Sequence, residues 1–319
     1  MAAIETTEGP ATSDGAVDVT TLGVALVGYG EVGSIFCAAL APLGLRALGA
    51  FDVKIAEAAW SASAFVRAAK DGVALARSTE EAAAGAQLVI SAVTAAETAK
   101  AASEIARVCR PGTFVLDVTS ASPQTKAAGA EAVARAGGRY VEAAVMTSVP
   151  PYGIKVPMLL GGPHAAASLP MLERLGFAAT VGSASYGVVS AIKLCRSVII
   201  KGMEAIVIES LLSARRYGVE REVLASLAET FPGIEWEKQA TYFWRRVVQH
   251  GRRRSEEMRE AAVTVRNAGL AGSMASATAD LQGWVAQLRA DGVFASAPKA
   301  PGWRAYADLI PHQRSGSDT

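Results

Sequence analysis

Cysteine and histidine are scarce in this sequence. Cys37, Cys109 and Cys195 are the only cysteines; they are far apart, odd in number and outside any CxxC spacing. That excludes a disulfide framework and a thiolate zinc site, and points to reduced thiols in a cytoplasmic protein. His164, His250 and His312 have no further ligands at metal-binding spacing, so no metal is expected. Net charge is nearly absent too. The chain has 31 Lys+Arg against 30 Asp+Glu, which gives no general pull toward nucleic acid or an anionic membrane. The opening MAAIETTEGPATSDG lacks a basic segment followed by an apolar one, so it does not read as a secretory signal. The apolar stretch from Gly187 to Leu212 is broken by Lys193, Arg196, Lys201 and Glu204, which argues against a membrane span. The thirty glycines have no fixed period, which excludes a collagen-like chain. Disorder is excluded by composition, with 51% hydrophobic and 19% charged residues.

What is present is an alternation. At 319 residues the chain exceeds what one core usually supports, so two domains are expected. Residues 1–20 read as a polar tail, and 312–319 as another. Short apolar runs follow at 22–28, 45–52, 72–76, 87–93, 113–119 and 139–146, with shorter ones at 155–160 and 178–182. Ala-rich helical stretches such as 31–43, 95–109 and 123–137 lie between them. Continuous apolar strands alternating with helices imply a doubly wound parallel sheet buried on both faces, over 21–184. After Gly182 the strand signals stop. Residues 185–218 read as one helix of roughly 50 Å, with Val188, Ile192, Cys195, Ile199 and Met203 at helical spacing. Further helices are expected at 219–230, 235–249, 252–268 and 272–290, making 185–311 an all-α domain. Trp236, Phe243, Trp244, Trp284 and Trp303 read as its packing core.

The sharpest local motif is Gly28-Tyr29-Gly30-Glu31-Val32-Gly33, directly after an apolar strand and opening a helix. In such a turn Gly28 permits the tight bend and Gly30 lets a pyrophosphate approach the backbone. Gly33 lets helix pack on strand, and the helix N-terminus offers free N–H groups. Asp52 ends the second strand, 19 residues past Gly33, where a carboxylate can hold an adenosine ribose. A carboxylate there favours NAD over NADP, because it repels a 2′-phosphate. Lys54 argues the other way, since it could reach that phosphate. A purely structural strand–turn–helix junction and a methyltransferase glycine turn are the competing readings. Val93, Thr94 and Thr119, at strand carboxyl ends, complete the expected cofactor contacts.

The order of motifs resembles the β-hydroxyacid dehydrogenases, which include 3-hydroxyisobutyrate and 6-phosphogluconate dehydrogenases, over about residues 22–290. After GYGEVG comes Asp117-Val-Thr-Ser-Ala-Ser-Pro123, similar to the family's D-x-S-T-x-x-P. Then follow Glu142-Ala-Ala-Val-Met-Thr-Ser148, where the family reads D-A-P-V-S-G-G, and Lys193-Leu-Cys-Arg-Ser197. The stretch His250–Met258 resembles a branch with a C-terminal domain of unknown function. The resemblance implies an extended Rossmann domain, a helical domain used for homodimerisation, and hydride transfer between NAD(P) and a small, anionic hydroxy- or keto-acid. It departs in two places. The family's substrate-contacting serine and first glycine fall on Met146 and Thr147, and its helical asparagine falls on Ser197.

Alcohol oxidation needs a base for the hydroxyl proton, and a lysine serves once its pKa falls from about 10.4 toward 7–8. Lys193 is the candidate: an apolar helix would desolvate it, and Arg196, one turn on, would discourage its charge. The plain alternative is a snorkelling surface lysine. Ser197 either orients the amine or bonds back to a carbonyl one turn earlier. Ser122 suits the N-cap before Pro123, which leaves Thr119 and Ser120 freer for ligand, Ser120 for substrate. In the basic run His250, Arg252, Arg253 and Arg254, the side chains point around the helix; the plain reading is a solvated face, and one of Arg253 or Arg254 is the candidate for a substrate anion. Two other functions stay open: an imine reductase, which would normally place an acid or tyrosine where Lys193 stands, and a non-catalytic dinucleotide-binding regulator.

Overall fold

The computed structural model describes residues 18–311. The tail expected at 312–319, and all but the last three residues of the one expected at 1–20, lie outside them. Val19–Thr21 form a 3-10 turn capped by the Asp18 side chain.

Eight strands make one sheet: β1 Gly23–Val27, β2 Ala47–Phe51, β3 Ala74–Leu75, β4 Leu88–Ser91, β5 Phe114–Asp117, β6 Arg139–Val145, β7 Met158–Gly161 and β8 Ala179–Ser183. Their spatial order is β3-β2-β1-β4-β5-β6-β7-β8. All neighbours are parallel except β6 and β7, so β7 and β8 run against the rest and the sheet is mixed, not wholly parallel. Helices α1 Glu31–Leu40, α2 Ala58–Lys70, α3 Thr79–Ala83, α4 Thr98–Val108, α5 Pro123–Arg135 and α6 Ala165–Arg174 connect the strands. Every residue of β1 is buried, as a continuous apolar strand between two helical layers must be. Phe36, Leu40, Leu26, Ile90, Leu116 and Leu172 belong to one side of this core.

The helical half comprises α7 Val188–Tyr217, α8 Glu220–Thr230, α9 Trp236–Asn267, α10 Ser273–Ala290 and α11 Trp303–Leu309. No described helix is long and apolar enough to cross a membrane. Its core is aromatic: Trp244 and Trp303 are fully buried, with Tyr306, Phe243, Val247 and Ile208 around them.

Two features of this half govern the site. In α7 the stripe Val188, Ile192, Ile199 and Ile206 faces outward, with Ile199 65% exposed, while Ser197, Lys201 and Glu204 are buried. The apolar spacing is real, but those positions face away from the core, and the buried face of α7 carries Leu194, Ile208, Leu211 and Leu212 beside these polar residues, with Met203 packed against the helical core. In α9 the backbone leaves helical geometry at His250 (φ −130°, ψ 16°), where the sequence shows the gap between two helices. Gly251 is needed there because an added Cβ would lie 2.7 Å from the Gln282 carbonyl oxygen. Arg289 donates to the carbonyls of Val248 (3.2 Å) and Gln249, so the interrupted turn keeps its acceptors satisfied.

Candidate active site

The glycine turn divides its work as its φ values and contacts dictate. Gly28 has φ +100°, and a Cβ there would sit 2.7 Å from the Ala92 carbonyl oxygen. At Gly33 a Cβ would collide with the Gly28 carbonyl oxygen at 1.9 Å. Gly30 is different: a Cβ there meets nothing within 4 Å, because the backbone faces open cleft. It is the residue before α1, and no side chain caps that helix, so its first N–H groups are available to an anion. The Tyr29 side chain is fully buried, under the Arg67 guanidinium, and its amide donates to Asp52 Oδ2 at 2.8 Å. Tyr29 therefore orients Asp52 and is not itself turned to the cleft. Asp52 Oδ1 accepts from the Lys54 amide at 3.0 Å, so both carboxylate oxygens are fixed.

A cleft of about 750 Å³ runs from this turn under the helical half. Gly28, Gly30, Asp52, Val93 and Thr94 are in its wall, and residues 248–253 at the α9 break form the opposite side. An uncapped helix N-terminus, a glycine facing open space and a fixed carboxylate 19 residues on fit a dinucleotide.

A second cavity of about 230 Å³ shares Ala92, Val93, Thr94 and Arg253 with the first. It brings together Glu31, Val32, Thr119, Ser120, Met146, Thr147, Lys193, Arg196, Ser197 and Arg253, all singled out above. Lys193 Nζ donates to Ser120 Oγ at 2.6 Å. Burial pushes the Lys193 amine down; Glu257 opposes this, while Lys201, Lys126 and Arg253 reinforce it, leaving it at about 8. The strongest neighbouring cations thus come from other elements and from two turns along α7, not from Arg196, whose side chain is exposed. Ser122 is the N-cap of α5, as its place before Pro123 requires. Thr119 is buried, and its Oγ accepts from Lys126 at 3.1 Å. Lys126 also pairs with Asp117 at 2.8 Å, and Asp117 accepts from Tyr140 Oη. This buried network holds the β5 end rigid behind Ser120.

The basic run divides as a kinked helix separates it. Arg254 is buried and forms a two-point ion pair with Glu204. Arg253 meets Glu31 at 3.0 Å and Glu257 at 3.6 Å, and so ties the first turn of α1 to α9. Arg253 is thus engaged by two carboxylates, while its buried Nε makes no hydrogen bond and its side chain lines both cavities. Ser197 faces Lys201 (3.5 Å), and Lys201 pairs with Glu257. Burial pushes the Glu257 carboxyl up, but Lys201, Lys193 and Arg253 outweigh it and hold it at about 2. Lys201, Glu257, Arg246 and Tyr242 were not legible as site residues. Glu142 opens the 142–148 stretch at the end of β6. Its Oε2 accepts from the Gly187 amide (3.0 Å) and Ser190 Oγ (3.1 Å), anchoring the start of α7 and with it Lys193.

Residues 23–180 match the family model described as the NAD binding domain of 6-phosphogluconate dehydrogenase, and 214–285 match a domain of unknown function, DUF1932. No curated protein matches. Among solved structures, a conserved hypothetical protein from Sinorhizobium meliloti 1021 is 34% identical, with 93% of this chain and 98% of that one covered and a TM-score of 0.70. The conserved protein MTH1747, described as structurally similar to 3-hydroxyacid dehydrogenases, is 28% identical (85% and 99% covered, TM-score 0.63). The Mycobacterium tuberculosis 3-hydroxyisobutyrate dehydrogenase with L-serine shares the fold at 18% identity (91% and 100% covered, TM-score 0.65).

Proposed function

Because this chain belongs to the β-hydroxyacid dehydrogenase family, in the branch with a C-terminal domain of unknown function, we propose that it is an NAD(P)-dependent oxidoreductase of hydroxy or keto acids. The observation that carries the reading is Lys193, bonded to Ser120 at 2.6 Å in a cavity that shares walls with the dinucleotide cleft. Bound in that cleft, the nicotinamide supplies the hydride acceptor or donor. The chain's residues handle the proton. In oxidation a neutral Lys193 removes the substrate hydroxyl proton, directly or through Ser120, as hydride leaves the same carbon and C=O forms. In reduction the ammonium returns a proton to the developing alkoxide. Glu257 stabilises the ammonium, which keeps its pKa from falling further under the surrounding cations.

NAD is the proposed cofactor, supported by the fixed Asp52 carboxylate; Lys54 and Arg252 in the same cleft support NADP as the alternative. A cytoplasmic homodimer through the helical domain is proposed as well. The exposed stripe on α7 supports a second copy as its cover, since such an apolar face is costly in water.

Replacing Lys193 by Ala is expected to lower kcat by roughly 10²–10⁴ on whichever hydroxy acid of a panel is turned over, the range for a lost general base. NADH affinity, read by fluorescence, should barely change. Lys193→Arg should not rescue activity, because guanidinium does not give up its proton. Wild-type kcat in Lys193→Ala would overturn the assignment. Turnover of imines but not keto acids would favour an imine reductase, and NADH binding without any turnover a regulator.

A further inference from the structure

Glu257 is a single carboxylate facing three cations. It lines the smaller cavity from α9, together with Arg253 of the same helix and with Lys193 and Lys201 of α7. Its Oε2 accepts from Lys201 Nζ, and among the described residues that is its one hydrogen bond. Arg253 Nε stands 3.6 Å from Oε1 without bonding to it, while its Nη1 turns to Glu31 at 3.0 Å. Among the described residues Lys193 forms no ion pair, and its amine is directed instead at Ser120 Oγ, 2.6 Å away. Yet Glu257 is the charge that most favours the Lys193 ammonium.

Lys193, Ser197 and Lys201 recur at every fourth residue of α7, a spacing that sets them on one face. Lys201 Nζ lies 3.5 Å from Ser197 Oγ, so this side chain leans back along the helix toward Lys193 and meets Glu257 there. The other charges around Lys193 are held in pairs: Lys126 of α5 by Asp117 of β5, Arg254 of α9 by Glu204 of α7, and Glu31 of α1 by Arg253. Arg246 of α9 lies over the Tyr242 ring, and Arg196 is exposed. A carboxylate in contact with an amine favours its ammonium by roughly 10–10³ in proton affinity. Glu257 stays ionised through the neutral range, so contact with Lys193 would fix that residue as an acid and remove the base.

We propose that Lys201 is a positioning residue for the reaction: by holding Glu257 at its own ammonium it keeps that carboxylate out of contact with Lys193, so that the Lys193 amine stays on Ser120 and exchanges its proton with the substrate. Lys201 keeps its own proton throughout, and no proton passes through the Lys201–Glu257 pair. The positioning role rests on the dehydrogenase reading, whereas the competition of two lysines for one carboxylate does not.

The measurement is the proton affinity of Lys193 itself, read by NMR from its Cε resonance in protein carrying carbon-13 in lysine and assigned by its loss in Lys193→Ala. In the wild type this resonance should titrate at about 8. Lys201→Met should raise the midpoint by at least about one pH unit, because Glu257 is then released to meet Lys193. Lys201→Ala carries the same expectation if Lys201→Met does not fold. Lys201→Arg, which keeps a cation for Glu257, should stay near the wild-type midpoint, and Glu257→Gln should lower it. Added to Glu257→Gln, the Lys201→Met change should move the midpoint less than half as far as it does in the wild type, since no carboxylate remains to be released. An equal rise in both backgrounds would make Lys201 one more repelling charge and overturn the proposal. So would an unmoved midpoint in Lys201→Met, or one as high in Lys201→Arg as in Lys201→Met. None of these readings needs turnover. With a working substrate, the acid limb of kcat/KM for oxidation should follow the same midpoints; the expected midpoints without turnover on any panel would count against the dehydrogenase reading alone.

Discussion

At Gly30 the chain tolerates a side chain sterically and the ligand does not. Its φ is −77°, ordinary for any residue, and the direction a Cβ would take is open cleft. Gly30→Val should therefore fold with a melting temperature within a few degrees of wild type, yet lose NADH binding by a factor of 10 or more in a fluorescence titration. Undiminished affinity would remove the pyrophosphate from this turn. Gly33→Ala is the contrasting case, since the Gly28 carbonyl occupies the space and the helix would have to move. At Lys193 the amine sits at about 8, so the pH profile has a definite sign. Oxidation needs the neutral amine: kcat/KM should rise tenfold per pH unit below about 8 and flatten above it. Reduction should show the opposite limb. An oxidation profile flat from pH 6 to 9 would contradict proton transfer by this group.

Among the elements, α7 depends on a carboxylate that carries no counter-cation. Glu142 is fully buried and spends Oε2 on the Gly187 amide and Ser190 hydroxyl, at the positive end of the helix. Glu142→Ala should cost about 1–3 kcal/mol, measured by urea denaturation, since a buried amide and hydroxyl lose their acceptor. It should also lower kcat by shifting Lys193 relative to Ser120. Unchanged stability would mean that water replaces the carboxylate. How much of this was legible differs from element to element. All eight strands follow from apolar runs, because burial on both faces leaves a continuous signal. The reversal of β7 and β8 does not, since a short apolar run carries no direction. In α7 the spacing marked a helix, but Val188, Ile192 and Ile199 face outward while the buried face mixes Leu194, Ile208 and Leu211 with Ser197, Lys201 and Glu204, which periodicity alone does not distinguish. Lys201 and Glu257 stayed hidden because their pairing joins two helices 56 residues apart in sequence, and a charge on a helix ordinarily reads as solvated. Ser122, by contrast, was fully legible, for a cap followed by proline is a local signal.

For the whole molecule, the outward stripe of α7 gives the assembly prediction. Ile199→Asp combined with Ile206→Asp should yield a folded 33 kDa monomer in sedimentation, whereas wild type at micromolar concentration sediments as a dimer. Both positions are more than half exposed, so the change costs the monomer little. A wild-type monomer would contradict the dimer. The break at His250 bears on a different property, the rate at which ligand enters. With Arg289 satisfying the carbonyls of Val248 and Gln249, and Gly251 seated on α10, that joint is a weld and not a hinge. The roof over the larger cleft is therefore braced against bending of α9 along its seam with the sheet half. The Arg253–Glu31 pair spans that seam, with both side chains about two-fifths exposed. Such a pair is screened by salt. Raising ionic strength should then speed cofactor association in stopped flow, against the slowing expected when salt merely screens an attractive cleft, and Glu31→Gln should remove the acceleration.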